Sequence, residues 1–114
     1  MAERDGFKDF VLDQLEGLPG LAARPMFGGH GLYGGASFFG IIYGGRLYFR
    51  TDSQSATKYV EAGSEPFRPR AAQALARYYE VPADVLEDRD RLTDWAREAA
   101  AARKPQRTPK RRNP

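Results

Sequence analysis

The sequence contains no cysteine and a single histidine. Without thiols there is no disulfide framework, no thiolate metal site and no cysteine nucleophile. That state fits a reducing cytoplasm, where the protein is expected. The lone histidine, His30, cannot build a histidine cluster, and no carboxylate spacing around it completes a metal site. It also lacks a serine or acid beside it in sequence that would make it a general base, so it reads as a partly exposed turn residue. Nowhere do the ~18 uninterrupted apolar residues of a membrane span occur. The opening MAERDGFKDF carries no apolar leader either, so neither a membrane nor a secretory route is expected. The 114 residues are enough for one domain with its own core, since metals or disulfides become necessary only below roughly 40 residues.

Acidic residues are missing from one region. Residues 103–114 carry Arg103, Lys104, Arg107, Lys110, Arg111 and Arg112 and no acid. Removing those six from the chain's 18 basic residues leaves 12 against 15 acidic ones, a body of about −3. The net charge of +3 therefore belongs to the tail, and the body offers no support for a DNA-binding face. The tail is proline-rich, basic and aperiodic, so it is expected to be disordered. It is a candidate for nonspecific phosphate contacts with nucleic acid, without base readout.

Glycine, by contrast, is concentrated. Eight of the twelve glycines fall between Arg24 and Thr51, in RPMFGGHGLYGGASFFGIIYGGRLYFRT. The clusters Gly28-Gly29, Gly31, Gly34-Gly35 and Gly44-Gly45 separate short apolar runs. Paired glycines supply the positive φ of tight hairpins, so the stretch predicts an antiparallel meander. The expected strands are Arg24 to Phe27, with Pro25 at a start or sheet edge, then Leu32-Tyr33, Ala36 to Tyr43, and Arg46 to Thr51. A two-residue turn at Gly44-Gly45 sets Tyr43 opposite Arg46, Ile42 opposite Leu47, Ile41 opposite Tyr48 and Gly40 opposite Phe49. Opposed residues share a face. One face then carries Ala36, Phe38, Gly40, Ile42, Leu47 and Phe49 and reads as core. The other carries Ser37, Phe39, Ile41, Tyr43, Arg46, Tyr48 and Arg50. Its mixture of aromatics and arginines marks it as half wet or covered by a partner.

Helices flank the meander. Phe7, Phe10, Val11, Gln14, Leu15 and Leu18 follow i, i+3, i+4 spacing, predicting a core-facing helix over Arg4 to Glu16 that Gly17 ends and Pro19 closes off. Asp52 is an N-cap for a helix over Ser53 to Ala62, stopped by Gly63, with Ala56, Tyr59 and Val60 inward. Pro66 to Pro69 reads as a connector. Between Ala71 and Tyr79 the local signals conflict: AAQALAR favours helix, while Tyr78, Tyr79 and Val81 favour strand. Ala83 to Glu87 predicts a helical turn. Asp88 or Asp90 caps a last helix to Ala102, whose stripe is Leu92, Trp95, Ala96 and Ala99.

The motifs carry little chemistry. The glycines lack the Lys-Ser/Thr of a P-loop and the strand–helix crossover of a dinucleotide fingerprint, so they read as turn and bulge glycines, with an anion nest over Gly28 to Gly31 as the alternative. The acidic run Glu87, Asp88, Asp90 and Asp94 enters a helix, where it suits the positive dipole end. Arg46, Tyr48 and Arg50, with Tyr43 and Phe39, form either a surface that stacks single-stranded nucleic acid or a sheet face beneath a helix.

Five segments, RPMFGGHGLY, RLYFRTD, EAGSEPF, YYEVPADVLED and LTDWAREA, occur in an order that resembles the N-terminal domain of the TfoX/Sxy competence regulators, over roughly residues 5 to 102. The resemblance implies an α+β domain tied to transcriptional control of natural transformation. It also implies an extended segment before the paired tyrosines, and so a strand from Ala74 to Tyr79. The full-length regulators carry a second, helical domain, whereas this chain has its basic tail there. The resemblance brings no catalytic residues, and no cofactor is expected. The expectation is therefore a single α+β domain over residues 1–102. An antiparallel sheet of four or five strands carries the first and last helices on one face, and a basic tail covers 103–114. Its expected role is a non-enzymatic regulatory module that binds a protein partner. Direct nucleic-acid binding is the alternative, and homodimerisation through a sheet edge is compatible with both.

Overall fold

Gly44 and Gly45 set the centre of the sheet. Both have positive φ, 62° and 76°, as a two-residue type I′ hairpin requires. Tyr43 pairs with Arg46, Ile42 with Leu47, Ile41 with Tyr48 and Gly40 with Phe49, the register expected from the glycine pair. A computed structural model of the chain describes residues 2–26, 28–67 and 77–102. The expectations for Phe27, for residues 68–69, for residues 71–76 and for the basic tail 103–114 lie outside the described residues.

The described chain runs α1 (Ala2–Gln14), β1 (Leu21–Met26), β2 (Gly29–Gly34), β3 (Ser37–Tyr43), β4 (Arg46–Arg50), α2 (Ala56–Glu61), β5 (Tyr78–Glu80), α3 (Ala83–Leu86) and α4 (Arg89–Ala101). The strands form one antiparallel meander in the order β1-β2-β3-β4-β5. Pro25 sits on the edge strand, where its missing amide breaks no central ladder. No helix among the described residues is long and apolar enough to cross a membrane.

Helices α1 and α4 lie on the same face of the sheet. Val11, Leu15 and Leu18 meet Leu92, Ala96 and Ala99 over Leu32, Phe39, Ile42, Leu47 and Phe49. Burying a Leu, Ile or Phe side chain contributes about 1.5–3 kcal/mol, so this layer dominates stability. At α4 the expected cap forms. The Asp88 carboxylate accepts from Arg91 N–H at 3.2 Å at the start of α4. The Asp52 carboxylate accepts from Gln54 and Ser55 N–H at 3.0 and 2.9 Å. Residues 53–55 make a turn that Asp52 closes, so α2 starts later than predicted and its N-cap is Ser55 rather than Asp52. After α2, Gly63 (φ 83°) donates to Val60 C=O and Ser64 donates to Tyr59 C=O, each at 3.0 Å, a Schellman ending.

Four further expectations are corrected. The first concerns the two faces of β3. Leu32 pairs with Gly40 but Tyr33 pairs with Phe38, so Phe39 is the extra residue of a β-bulge. The bulge shifts the alternation by one. Phe39 therefore turns into the core and Phe38 onto the far face, the reverse of strict alternation. The second concerns the β2–β3 turn, which holds Gly35 and Ala36, because Gly34 already pairs with Ser37. The third concerns residues 29–31, which belong to a strand rather than a loop, with His30 paired to Pro25 and Ile42. A Cβ on Gly31 would stand 2.8 Å from Met26 Sδ and 3.0 Å from Phe38 Cε1, so this glycine serves close approach rather than a turn. The fourth concerns Phe10 and Val60, which are 40 % and 58 % exposed. The apolar stripe of α1 centres on Val11 and Leu15, and six-residue α2 buries only the Tyr59 position.

Candidate interaction face

The far face of the sheet, opposite α1 and α4, carries rings. Ile41, Phe67 and Tyr78 are buried there, with Phe38, Tyr43 and Tyr48 half-buried around them. Tyr33 stacks on Phe38 at 5.2 Å and Phe38 meets Tyr78 at 5.5 Å. Phe67 takes Tyr43 edge-on at 5.4 Å and Tyr48 at 4.7 Å. The result is one ring row across β2, β3, β4 and β5, held by mutual packing. Cations border it, Arg24 and Arg46 among them. Arg24 lies over the Tyr33 ring, 5.3 Å from its centre, and Arg46 pairs with Glu80 at 3.0 Å. Burial, then Glu80, pushes the Tyr48 phenol above its usual range, and burial does the same to Tyr78.

The predicted set separates on this geometry. Tyr43, Arg46 and Tyr48 do share the far face. Phe39 does not: it is fully buried against Phe49 at 5.6 Å. Arg50 is committed elsewhere. Its guanidinium donates to Ala99 C=O at 3.2 Å, Ala100 C=O at 3.0 Å and Ser37 Oγ at 3.1 Å, while Ser37 Oγ donates to Ala100 C=O at 2.8 Å. A cation here meets the unsatisfied carbonyls and negative dipole end of α4. Sequence reasoning missed Tyr33, Phe38 and Phe67 on this face. The adjacent aromatics Phe38-Phe39 were the available signal, since two neighbouring rings cannot both follow strict alternation into one layer.

Among the described residues, no group of three or more His, Asp or Glu could hold a metal ion. The acidic run caps and pairs: Asp88 caps α4, and Asp94 lies 3.6 Å from Arg97. An open cleft of ≈ 470 Å³ lies between the end of α1 and the first turns of α4, lined by Gln14, Glu16, Arg89, Thr93, Asp94 and Arg97. There Arg89 donates to Asp13 C=O at 2.8 Å and lies 3.2 Å from the Asp13 carboxylate, tying the two helices.

One buried polar atom stands out. Among the described residues the Tyr59 hydroxyl is enclosed without a hydrogen-bond partner, its ring packed on Trp95 at 4.9 Å and Tyr79 at 5.9 Å. An unpaired hydroxyl costs roughly 1–3 kcal/mol of desolvation. Tyr59→Phe is therefore expected to leave stability unchanged or raise it by about 1 kcal/mol, read from urea unfolding at neutral pH. Burial, then Glu98, pushes the Tyr59 phenol pKa upward. The unfolded chain releases this proton near pH 10 while the folded chain keeps it. Stability is thus complete below about pH 10 and falls above it, and Tyr59→Phe should flatten part of that alkaline loss. A Tyr59→Phe chain clearly weaker at neutral pH would show that the hydroxyl has a bound partner.

The family model described as the TfoX N-terminal domain matches residues 13–103. Among curated proteins, none matches the chain.

Proposed function

The chain belongs to the TfoX N-terminal domain family, and on that premise we propose that it is a non-enzymatic interaction module in competence-type transcriptional control, working through a protein partner. The observation that supports this reading is the ring row opposite the helices. Tyr33, Phe38, Tyr43 and Tyr48 are half-exposed yet fixed by neighbouring rings. Fixed aromatics beside arginine are the residue types that dominate protein interfaces, and they lose little entropy on binding. The acidic body disfavours a nucleic-acid face on the domain itself.

The test is the double variant Arg46→Ala, Tyr48→Ala in the full chain. Arg46–Glu80 is an exposed pair worth about 0–1 kcal/mol, so the circular-dichroism spectrum is expected to stay native. Proteins that co-purify with the wild type from its own cells, transcription components above all, are expected to be lost. Retention of the same partners at the same level would remove this face from the proposal.

The six tail cations favour a second reading, direct nucleic-acid binding, with Arg24 and Tyr33 as a stacking pair. Neutralising Arg103, Lys104, Arg107, Lys110, Arg111 and Arg112 to Gln in the full chain separates the two. Under the protein-partner reading, DNA binding is weak, steeply salt-dependent and abolished by the change. Binding of the neutralised chain to single-stranded DNA at physiological salt would put the second reading first.

A further inference from the structure

The two edges of the sheet differ. The outer side of β5 is closed: Phe67 N–H donates to Tyr78 C=O at 2.6 Å, Glu80 N–H donates to Glu65 C=O at 3.0 Å, and Pro66 bridges Tyr79. The other edge is β1, and among the described residues nothing is bonded to its outer side.

The groups that β1 offers follow from the ladder. Gly35 N–H donates to Gly20 C=O at 2.9 Å, so Gly20–Gly35 is a hydrogen-bonded pair. Antiparallel pairs alternate, so Ala22–Tyr33 and Arg24–Gly31 bond inward. Leu21, Ala23 and Pro25 then direct their backbone groups outward. Leu21 and Ala23 offer a donor and an acceptor each, and Pro25 offers an acceptor alone. Natural sheet edges are blunted by long charged side chains. At the centre of β1 stand Ala22 and Ala23, and Arg24 is folded back over Tyr33.

We infer that β1 pairs with β1 of a second copy, antiparallel about a two-fold axis at Ala23. Ala23 exchanges both bonds with the partner's Ala23. Leu21 N–H of each copy donates to Pro25 C=O of the other. Every outward donor of Leu21 and Ala23 is satisfied, and the amide that proline lacks is needed by none of them. A shift of the axis to Ala22 would satisfy the same donors but set Pro25 against Pro19 of the partner, with no donor on either side, whereas the Ala23 register uses the Pro25 C=O. Side chains agree with it: Leu21 meets Pro25, and Ala23 meets Ala23, on the helix side. With β5 closed, the pairing consumes the one open edge among the described residues, so the assembly stops at two copies. It joins both ring rows on one side of a continuous sheet.

The absence of cysteine makes the test direct. Bonded antiparallel partners stand about 5.5 Å apart at Cα, within the ~4.4–6.8 Å that a disulfide spans. Full-length Ala23→Cys is expected to form a covalent dimer under mild oxidation roughly tenfold or more faster than Ala83→Cys, at the exposed start of α3, because pairing raises the local thiol concentration. Sedimentation equilibrium should show the wild type dimerising with concentration. Ala23→Pro, which removes an outward amide alone, should weaken that dimer roughly tenfold with an unchanged circular-dichroism spectrum. Equal cross-linking at positions 23 and 83 overturns the pairing, as does a wild type still monomeric at about 1 mM.

Discussion

Phe39→Ala is expected to destabilise the domain by about 3–5 kcal/mol, whereas Phe38→Ala should cost about half as much or less. The contrast rests on the bulge. Phe39 is fully buried between the sheet and α4, against Phe49 at 5.6 Å. Truncation removes a whole ring from the layer that holds both long helices and leaves a cavity that the surrounding strands cannot close. Phe38 is half-buried on the far face, touching Tyr33 and Tyr78, and water can reach the space it vacates. Chemical denaturation of both variants decides the matter, with the midpoint as readout and the slope checked for constancy. Strict alternation along β3 predicts the opposite order, with Phe38→Ala the severe one. A result of that kind would mean the bulge is absent and Phe39 belongs to the far face after all. The pair also separates stability from function, because under the proposed function Phe38→Ala, and not Phe39→Ala, should impair partner binding without unfolding the domain.

The division between legible and illegible features follows from how far apart the determining residues lie. The β3–β4 hairpin was legible because its determinants, Gly44 and Gly45, are adjacent and a two-residue loop leaves no freedom of register. The cap at Asp88 and the Schellman stop at Gly63 were legible for the same reason: each partner lies within a few residues. The stripe Leu92, Ala96 and Ala99 was legible from period alone. The bulge was not. Its position depends on how β2 meets β3 across Leu32 and Tyr33, and Phe38-Phe39 fits either phase locally. Arg50 was illegible in role because its acceptors, the last carbonyls of α4, lie 49 and 50 residues onward. The candidate face divides the same way. Tyr43, Arg46 and Tyr48 followed from the hairpin, while Tyr33 and Phe38 needed the bulge and Phe67 needed its backbone bond to Tyr78 in β5.

Gly20→Ala is expected to lower stability by about 3 kcal/mol, and its melting temperature by roughly 10–20 °C. Two effects add at this position. Gly20 has φ 71°, a left-handed conformation that costs a residue with a Cβ about 1–2 kcal/mol. A Cβ there would also stand 2.6 Å from Gly35 N and 3.0 Å from its Cα. Both atoms are backbone, so neither can rotate aside. Relief requires pulling the α1–β1 connection away from the β2–β3 turn, which breaks the bond from Gly35 N–H to Gly20 C=O. That bond starts the β1–β2 ladder, so its loss propagates into the edge strand. Gly35→Ala is the control. Its φ of 65° imposes a similar conformational cost, but among the described residues a Cβ there meets nothing within 4 Å. It should therefore lose only about 1–2 kcal/mol. Thermal unfolding of the two variants beside the wild type measures the difference. Equal losses would mean that conformation alone restricts both glycines and that the contact between the two turns is loose. A clearly larger loss at Gly20 identifies the junction that fixes where β1 begins, a position that glycine content alone did not reveal because the two residues in contact are fifteen apart in the chain.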